Sequence, residues 1–190
     1  MEIILSILIG ISLSATTGFR IFVPLLVLSG CSILGWVELS PGFAWLGTYP
    51  VFTALAIATV LEIGAYFIPY LDNLLGVAAT PVKIIAGMLI TASVIVELSP
   101  MLAWTLAIIL GGGAAFGGSF ISNTAHAGST VATGGFANPI LSIFESVTAF
   151  ILSILSVVIP VLALALFVVL AVLVVKIYKR IKRKRLAGLS

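Results

Sequence analysis

The sequence predicts an all-α membrane protein, a polytopic bundle of about six transmembrane segments. Hydrophobic residues make up 62% of the 190 residues, charged residues only 8%, and the mean hydropathy is +1.35. Such a composition excludes a soluble globular domain. The basic residues near the C-terminus form one cluster: Lys176, Lys179, Arg180, Lys182, Arg183, Lys184 and Arg185. We expect residues 1–178 to form a single transmembrane domain and residues 179–190 a cytoplasmic polybasic tail.

Glycine, proline and charged residues divide the chain into six hydrophobic segments. The second, third, fifth and sixth each have roughly the 17–25 residues that a membrane helix needs. In chain order the segments cover about residues 3–29, 51–70, 81–98, 101–122, 140–159 and 161–178.

The first segment contains a weak point for a helix. Ser14-Ala-Thr-Thr-Gly18 is followed at once by Arg20 and Pro24, and a helix break is expected at Gly18. The segment either crosses the membrane as a broken helix or bends at residues 16–18 into a re-entrant hairpin. The second alternative changes the number of crossings by one.

The second and third segments are bounded by turn residues. The second ends before a turn at Asp72-Asn73, and the third begins with Pro81. Lys83 lies three residues into the third segment, where a lysine side chain can extend along the helix to the membrane surface.

Glycine and polar residues interrupt the fourth segment. Gly111, Gly112 and Gly113 predict a second helix break, and Gly113 with Gly117 has the spacing found where membrane helices pack closely. The polar stretch 122–138 is interpreted either as a cytoplasmic loop or as an unwound segment that lines a cavity.

The basic tail places the C-terminus in the cytoplasm by the positive-inside rule. Six crossings then place the N-terminus in the cytoplasm as well, with Glu38 and Glu97 outside. The tryptophans, which favour membrane interfaces, fall near the same outer surface: Trp36, Trp45 and Trp104.

Two internal similarities run through the chain. Val37-Glu-Leu-Ser-Pro41 recurs as Val96-Glu-Leu-Ser-Pro100, either as two interfacial turns that end or begin helices at Ser-Pro or as a duplicated element that frames an entrance. Glu62 and Glu145 occupy corresponding segments of the two halves. This correspondence suggests a 3+3 inverted repeat, which many secondary transporters have.

Ionisable residues within hydrophobic segments are costly and therefore mark candidate sites. Glu62 and Glu145 are predicted to lie at a similar depth, and Arg20 within ion-pair distance of one of them. The carboxylates serve either a proton- or cation-coupled site or hydrogen bonds between helices. The candidate substrate- or ion-binding set also includes Thr17, Asp72, Asn123 and His126.

The sequence contains no pattern that calls for a cofactor or a catalytic site. One cysteine, Cys31, and one histidine argue against a disulfide and against a metal cluster. The basic residues form a juxtamembrane segment, so we expect anionic lipid of the inner leaflet as the partner rather than nucleic acid. The expected membrane-surface residues are Lys179, Arg180, Lys182, Arg183, Lys184 and Arg185.

Several short motifs occur together between residues 10 and 150. They are Gly18-Phe-Arg-Ile-Phe-Val-Pro24, Ile68-Pro-Tyr-Leu-Asp72, Ala79-Thr-Pro81, Gly111–Gly113, Thr133-Gly-Gly135, Asn138-Pro139 and Ser142 with Glu145. In combination they resemble the domain of unknown function 4126 family of small bacterial integral membrane proteins. The resemblance implies a multi-pass protein of the bacterial cytoplasmic membrane and no defined activity. Ser146 stands where the resemblance implies a second acid beside Glu145.

Two functions of different classes fit the sequence. The first is a small transporter or channel with a buried polar site for a small substrate or ion. The second is a non-transporting scaffold or lipid-interacting subunit whose buried charges stabilise helix packing. Either function is compatible with a homo-oligomer, and an enzyme is not expected because paired acid–base and metal motifs are missing from the sequence.

Overall fold

The computed structural model describes residues 2–65 and 78–187, with side chains up to residue 180. All regular secondary structure in these residues is helical, as predicted. In chain order the elements are α1 (Glu2–Thr17), α2 (Phe22–Ile33), a 3-10 helix (Pro41–Gly47), α3 (Tyr49–Ala65), α4 (Thr80–Val94), α5 (Pro100–Leu106), a π-helical segment (Ala107–Gly112), α6 (Gly113–Thr133), α7 (Asn138–Val158) and α8 (Pro160–Ala187).

Three helical stretches in the described part of the chain are long and apolar enough to cross a membrane. They are Pro100–Thr133, Asn138–Val158 and Pro160–Arg180. A fourth exists if the 3-10 helix and α3, which meet at an angle of 65°, count as one bent span. These helices are those of an integral membrane protein, but the described residues provide three to four candidate spans rather than six.

The first hydrophobic segment folds back on itself. Leu13 of α1 lies in one buried cluster with Val27 and Leu28 of α2. Leu5, near the start of α1, and Trp36, just after α2, line the same groove. α1 and α2 therefore run antiparallel and form a hairpin, as in the re-entrant alternative.

Hydroxyl groups bind the last helical turn before this point. The hydroxyl groups of Thr16 and Thr17 donate to the carbonyl oxygens of Leu13 and Ser14, at 2.6 and 2.7 Å. Such bonds to the preceding turn compete with the helical ladder. The reversal follows immediately, at residues 18–21, which we call the hairpin tip.

The two ends of the bundle differ in charge. Glu2, Glu38 and Glu97 line one groove at what we call the acidic end, and α8 ends at Ala187 at the opposite, tail end. Because the hairpin returns the chain to the acidic end, the N-terminal end of α1 lies opposite the basic tail. The prediction that both termini lie on the same side is therefore wrong.

The exposed tryptophans Trp36, Trp45 and Trp104 lie towards the acidic end. Trp36 lines the groove there, and the Trp104 ring lies 6.1 Å from that of Phe43, in the same 3-10 helix as Trp45. At the tail end α8 continues through the basic segment to Ala187, so the expected boundary after Tyr178 falls within a helix.

The glycine run does not break the fourth segment. Gly111 and Gly112 lie in the π-helical segment, Gly113 begins α6, and the helical stretch continues from Pro100 to Thr133. A Cβ on Gly111 would overlap the carbonyl oxygen of Gly87 and the side chain of Thr91. Gly111 and Gly112 thus permit close contact with α4. Of the polar stretch 122–138, residues 122–133 are helical and residues 134–137 form a turn, so the loop prediction holds only for these four residues and the prediction of an unwound segment is wrong.

A helix begins at the proline of each Ser-Pro repeat. This agrees with the interpretation of the repeats as turns that end or begin helices. Ser40 and Ser99 have extended backbones before Pro41 and Pro100, which begin the 3-10 helix and α5. The inverted repeat has no comparable support. The first segment is a hairpin, whereas the fourth is one continuous helical stretch.

The end of α1 and the hairpin tip cross α6 at a contact between two glycines, Gly18 and Gly118. A Cβ on Gly18 would overlap the backbone of Gly118, and a Cβ on Gly118 would overlap the carbonyl oxygen of Ala15. The neighbouring Gly117 has open space around its Cβ position. This crossing holds the hairpin tip against α6.

We predict that Gly118→Ala lowers stability by about 1–3 kcal/mol because the added methyl group forces the two backbones apart. Gly117→Ala is the matched control on the same helix, and it should leave the melting temperature unchanged or raise it, since alanine favours helix over glycine. Thermal unfolding of the purified protein in detergent measures both. Equal effects of the two variants would contradict the glycine crossing.

Candidate functional site

Side chains from α3 and α4 bind the backbone of the hairpin tip. The Glu62 carboxylate accepts hydrogen bonds from the amides of Ile21 and Phe22, at 2.7 and 3.0 Å. Lys83 Nζ donates to the carbonyl oxygen of Gly18 at 2.8 Å. These three bonds satisfy main-chain groups left without helical partners, and a carboxylate at a helix N-terminus also complements the helix dipole.

Arg20 lies at the tip and is completely buried. Its Nε donates to Ser146 Oγ at 2.9 Å, and its Nη2 donates to the Ser142 carbonyl oxygen at 2.8 Å. Nη1 lies 3.7 Å from Glu145 Oε2. The predicted proximity of Arg20 to one of the two glutamates is thus confirmed for Glu145, whereas Glu62 binds the start of α2.

A histidine shares the same carboxylate oxygen. His126 Nε2, from α6, lies 3.2 Å from Glu145 Oε2, and the two side chains are 11% and 5% exposed. Among the described residues, the other oxygen, Oε1, has no hydrogen-bond partner. A void of about 30 Å³ borders Glu145 and Phe19, which is enough volume for a water molecule.

We call Arg20, Glu62, Lys83, His126 and Glu145 the charge cluster, because each contacts the hairpin tip or another member. In this part of the molecule α1, α2, α3, α4, α6 and α7 meet. A carboxylate and an imidazole in contact can exchange a proton, and the neighbouring guanidinium compensates the charge of the carboxylate. The structure thus joins residues 20, 126 and 145, three of the residues predicted from the sequence.

The other predicted residues have separate surroundings. Thr17 is buried, and its hydroxyl lies 3.1 Å from the Lys83 carbonyl oxygen. Asn123 Nδ2 lies 3.4 Å from Thr80 Oγ1. Gly18, a predicted helix break, begins the tip, whereas Gly111 and Gly112 face α4 and Gly113 has open space around its Cβ position. Asp72 lies outside the described residues.

Three contributions were missed from the sequence. Lys83 is 1% exposed and does not extend to the membrane surface, so that prediction is wrong. Ser142 and Ser146, one helical turn apart on α7, bind the Arg20 guanidinium. The position of Ser146 directly after Glu145 was the available signal for its hydroxyl, whereas the Ser142 acceptor is a main-chain carbonyl oxygen, which side-chain spacing does not predict.

Two larger cavities lie at the ends of the bundle. One of about 290 Å³ lies at the acidic end and one of about 480 Å³ lies near the tail end, between α6, α7 and α8. Neither is lined by a member of the charge cluster. Within residues 2–65 and 78–180, no group of three or more His, Cys, Asp or Glu side chains could hold a metal ion.

Glu2 and Glu97 approach each other at the acidic end, outside the candidate spans. A hydrogen bond between their side chains raises the pKa of Glu97 above its ordinary value of 4.5. Loss of hydration and repulsion from the Glu2 charge raise this pKa further. Each of these effects favours the protonated form of Glu97.

The family model described as Domain of unknown function (DUF4126) matches residues 7–180 of the chain. Neither the curated proteins nor the solved structures contain a match.

We predict that Arg20→Met and Glu145→Gln are coupled. Arg20→Met alone should cost about 3–5 kcal/mol, because it leaves a buried carboxylate without its cation. The double variant should lose less than the sum of the single losses, as thermal or denaturant unfolding in detergent would show. Arg20→Met combined with Glu38→Gln, an exposed acid at the acidic end, is the additive control. Additive losses for Arg20 and Glu145 would contradict the pairing.

A second prediction concerns pH. Because the pKa of Glu97 is raised in the folded protein, its contribution to stability is present below the ordinary value and is lost as the pH rises through the raised value. The melting temperature of wild type minus that of Glu97→Gln should therefore decrease as the pH rises from below the ordinary pKa of Glu97 to above its raised pKa. A difference that stays constant between pH 4 and pH 8 would show that the Glu2–Glu97 contact does not form.

Proposed function

Because the chain belongs to the DUF4126 family, whose description leaves the activity open, we propose a function from the site. The chain is a small integral membrane transporter or channel. Proton exchange between Glu145 and His126, beside the Arg20 guanidinium, accompanies the passage of a small substrate or ion. The hairpin tip is the element whose position responds to that exchange.

The buried contact between His126 and Glu145 beside Arg20 is the observation that carries this proposal. Ionisable side chains within membrane helices are rare and mark ion or proton pathways. Histidine has an ordinary pKa near 6.5, so its charge changes in the physiological range. Helices that end within a bundle are a feature of transporter binding sites.

The geometry also suggests how protonation acts on the tip. Glu145 Oε2 faces both the His126 ring and the Arg20 guanidinium. A proton on this carboxylate removes its attraction to Arg20, which keeps its hydrogen bonds to Ser142 and Ser146. The tip then loses its ion pair with α7 while Glu62 still binds the start of α2.

A non-transporting scaffold is the second candidate, and the burial of Arg20 favours it. The guanidinium has no exposed surface, its partners among the described residues include Ser142, Ser146 and Glu145, and neither of the two larger cavities reaches it. In that case the same charges serve to hold the hairpin between its neighbouring helices. The two candidates differ in whether removing the charge of Glu145 affects flux or only stability.

The orientation follows from the tail. We propose that the tail end faces the cytoplasm of a bacterium and that the acidic end, with the start of α1, faces outward. Lys179 and Arg180 are exposed and would contact anionic lipid of the inner leaflet.

We predict that Glu145→Gln and His126→Gln reduce proton-linked flux at least tenfold. The purified protein would be reconstituted into liposomes containing a pH-sensitive dye, and a potassium diffusion potential would be imposed. A panel of small anions and cations would supply the substrate. Glu38→Gln is the matched control, since it makes the same change at an exposed position, and it should keep wild-type flux.

The same experiment separates the two candidates. If wild type shows flux and Glu145→Gln retains it, the proton site is contradicted. Absence of flux across the panel, together with a lower melting temperature of Glu145→Gln, would favour the scaffold.

A further inference from the structure

A deep groove separates α6, α7 and α8 near the tail end. Its volume is about 480 Å³. The lining is almost entirely apolar and includes Ala132, Ile140, Phe144, Val174, Ile177 and Tyr178. A groove of this composition on membrane helices accepts a hydrocarbon chain more readily than a polar solute.

Small residues on α6 create the depth of the groove. Ala125, Gly128 and Ala132 follow one another at helical spacing along its floor. A Cβ on Gly128 would lie 3.5 Å from the Tyr178 ring, which is van der Waals contact distance. The space between this position and the ring therefore has room for little more than a methyl group. Larger side chains along this line would therefore fill the space.

Polar groups are confined to a few positions in the groove. Ser129 contributes a hydroxyl that is buried and has no hydrogen-bond partner among the described residues. A buried hydroxyl without a partner costs free energy, which a bound acceptor would recover. An ester or phosphate oxygen at the head of a lipid is such an acceptor.

Positive charge on α8 flanks the last residues of the groove lining, because the exposed Lys176 directly precedes Ile177 and Tyr178. Lys179 and Arg180 are exposed and directly follow Tyr178. The helix continues to Ala187, roughly 13 Å past Tyr178 at 1.5 Å per residue, and it carries the basic segment with it. An apolar groove with cations at its mouth matches the two parts of an anionic lipid.

We propose that this groove binds an anionic phospholipid, with one acyl chain along α6 and the phosphate held by Lys179 and Arg180. The site is independent of proton exchange at the charge cluster. Phe144 and Leu141 nevertheless line both the groove and the void beside Glu145, so an acyl chain would lie one side-chain layer from that carboxylate.

Native mass spectrometry of the full chain, titrated with phosphatidylglycerol or phosphatidylcholine at low salt, tests the site. Wild type should bind one phosphatidylglycerol at least tenfold more tightly than phosphatidylcholine. Ala132→Phe fills the groove and should weaken phosphatidylglycerol binding at least tenfold. Ala127→Phe is the matched control, because residue 127 is exposed on the same helix outside the groove, and it should bind as wild type does.

A second pair of variants tests the head group. Lys179→Gln with Arg180→Gln should abolish the preference for phosphatidylglycerol but keep binding at the level of phosphatidylcholine. Arg183→Gln with Lys184→Gln removes the same charge further along the chain and should have at most a threefold effect. Melting temperatures of all variants identify any that fail to fold. In that case Ser129→Ala provides a milder test, and it should weaken phosphatidylglycerol binding threefold or more.

Several outcomes would overturn the proposal. Equal binding of the two lipids would mean that bulk lipid fills the groove. Equal losses in the two double-charge variants would mean diffuse attraction to the whole tail. Dimers that disappear with Ala132→Phe would identify a second copy of the chain as the occupant.

Discussion

The rest of the structure depends on a chain reversal buried among membrane helices. Where a helix ends away from water, its free amide and carbonyl groups need partners from the protein itself. At residues 18–22 these partners are the Glu62 carboxylate and the Lys83 ammonium group. Each partner adds a charge that must itself be compensated, which explains why the ionisable residues of the apolar region gather at this point instead of spreading through the bundle.

The reversal also dictates which residues can surround it. The tip packs so closely against α6 that there is no room for a Cβ atom at Gly18 or Gly118. A polar face of α6 then meets α7, and it brings His126 to Glu145. The small residues allow the backbones to approach each other. The charged side chains then satisfy the main-chain groups that this approach buries.

The sequence was informative where a single physical requirement decided the outcome. A bare guanidinium in hydrocarbon needs an acid, so the contact of Arg20 with an intramembrane glutamate could be predicted. The weak helix at Ser14–Gly18 is compatible with both a broken span and a hairpin. The sequence could not distinguish these alternatives, because the hairpin is shown by the packing of Leu13 against Val27 and Leu28. The run Gly111–Gly113 suggested a break because nothing local reveals that Gly87 lies opposite. Ser122 and His126, four residues apart, did carry a helical signal within the stretch interpreted as a loop.

The partners of the hairpin tip are far apart in the order of synthesis. Arg20 leaves the ribosome long before Glu62, and its carbonyl acceptor Ser142 follows it by 122 residues. Until those residues arrive, the first two helices have no means to neutralise their own connection inside hydrocarbon. The hairpin tip can therefore acquire its full set of described partners only after α7 has been synthesised.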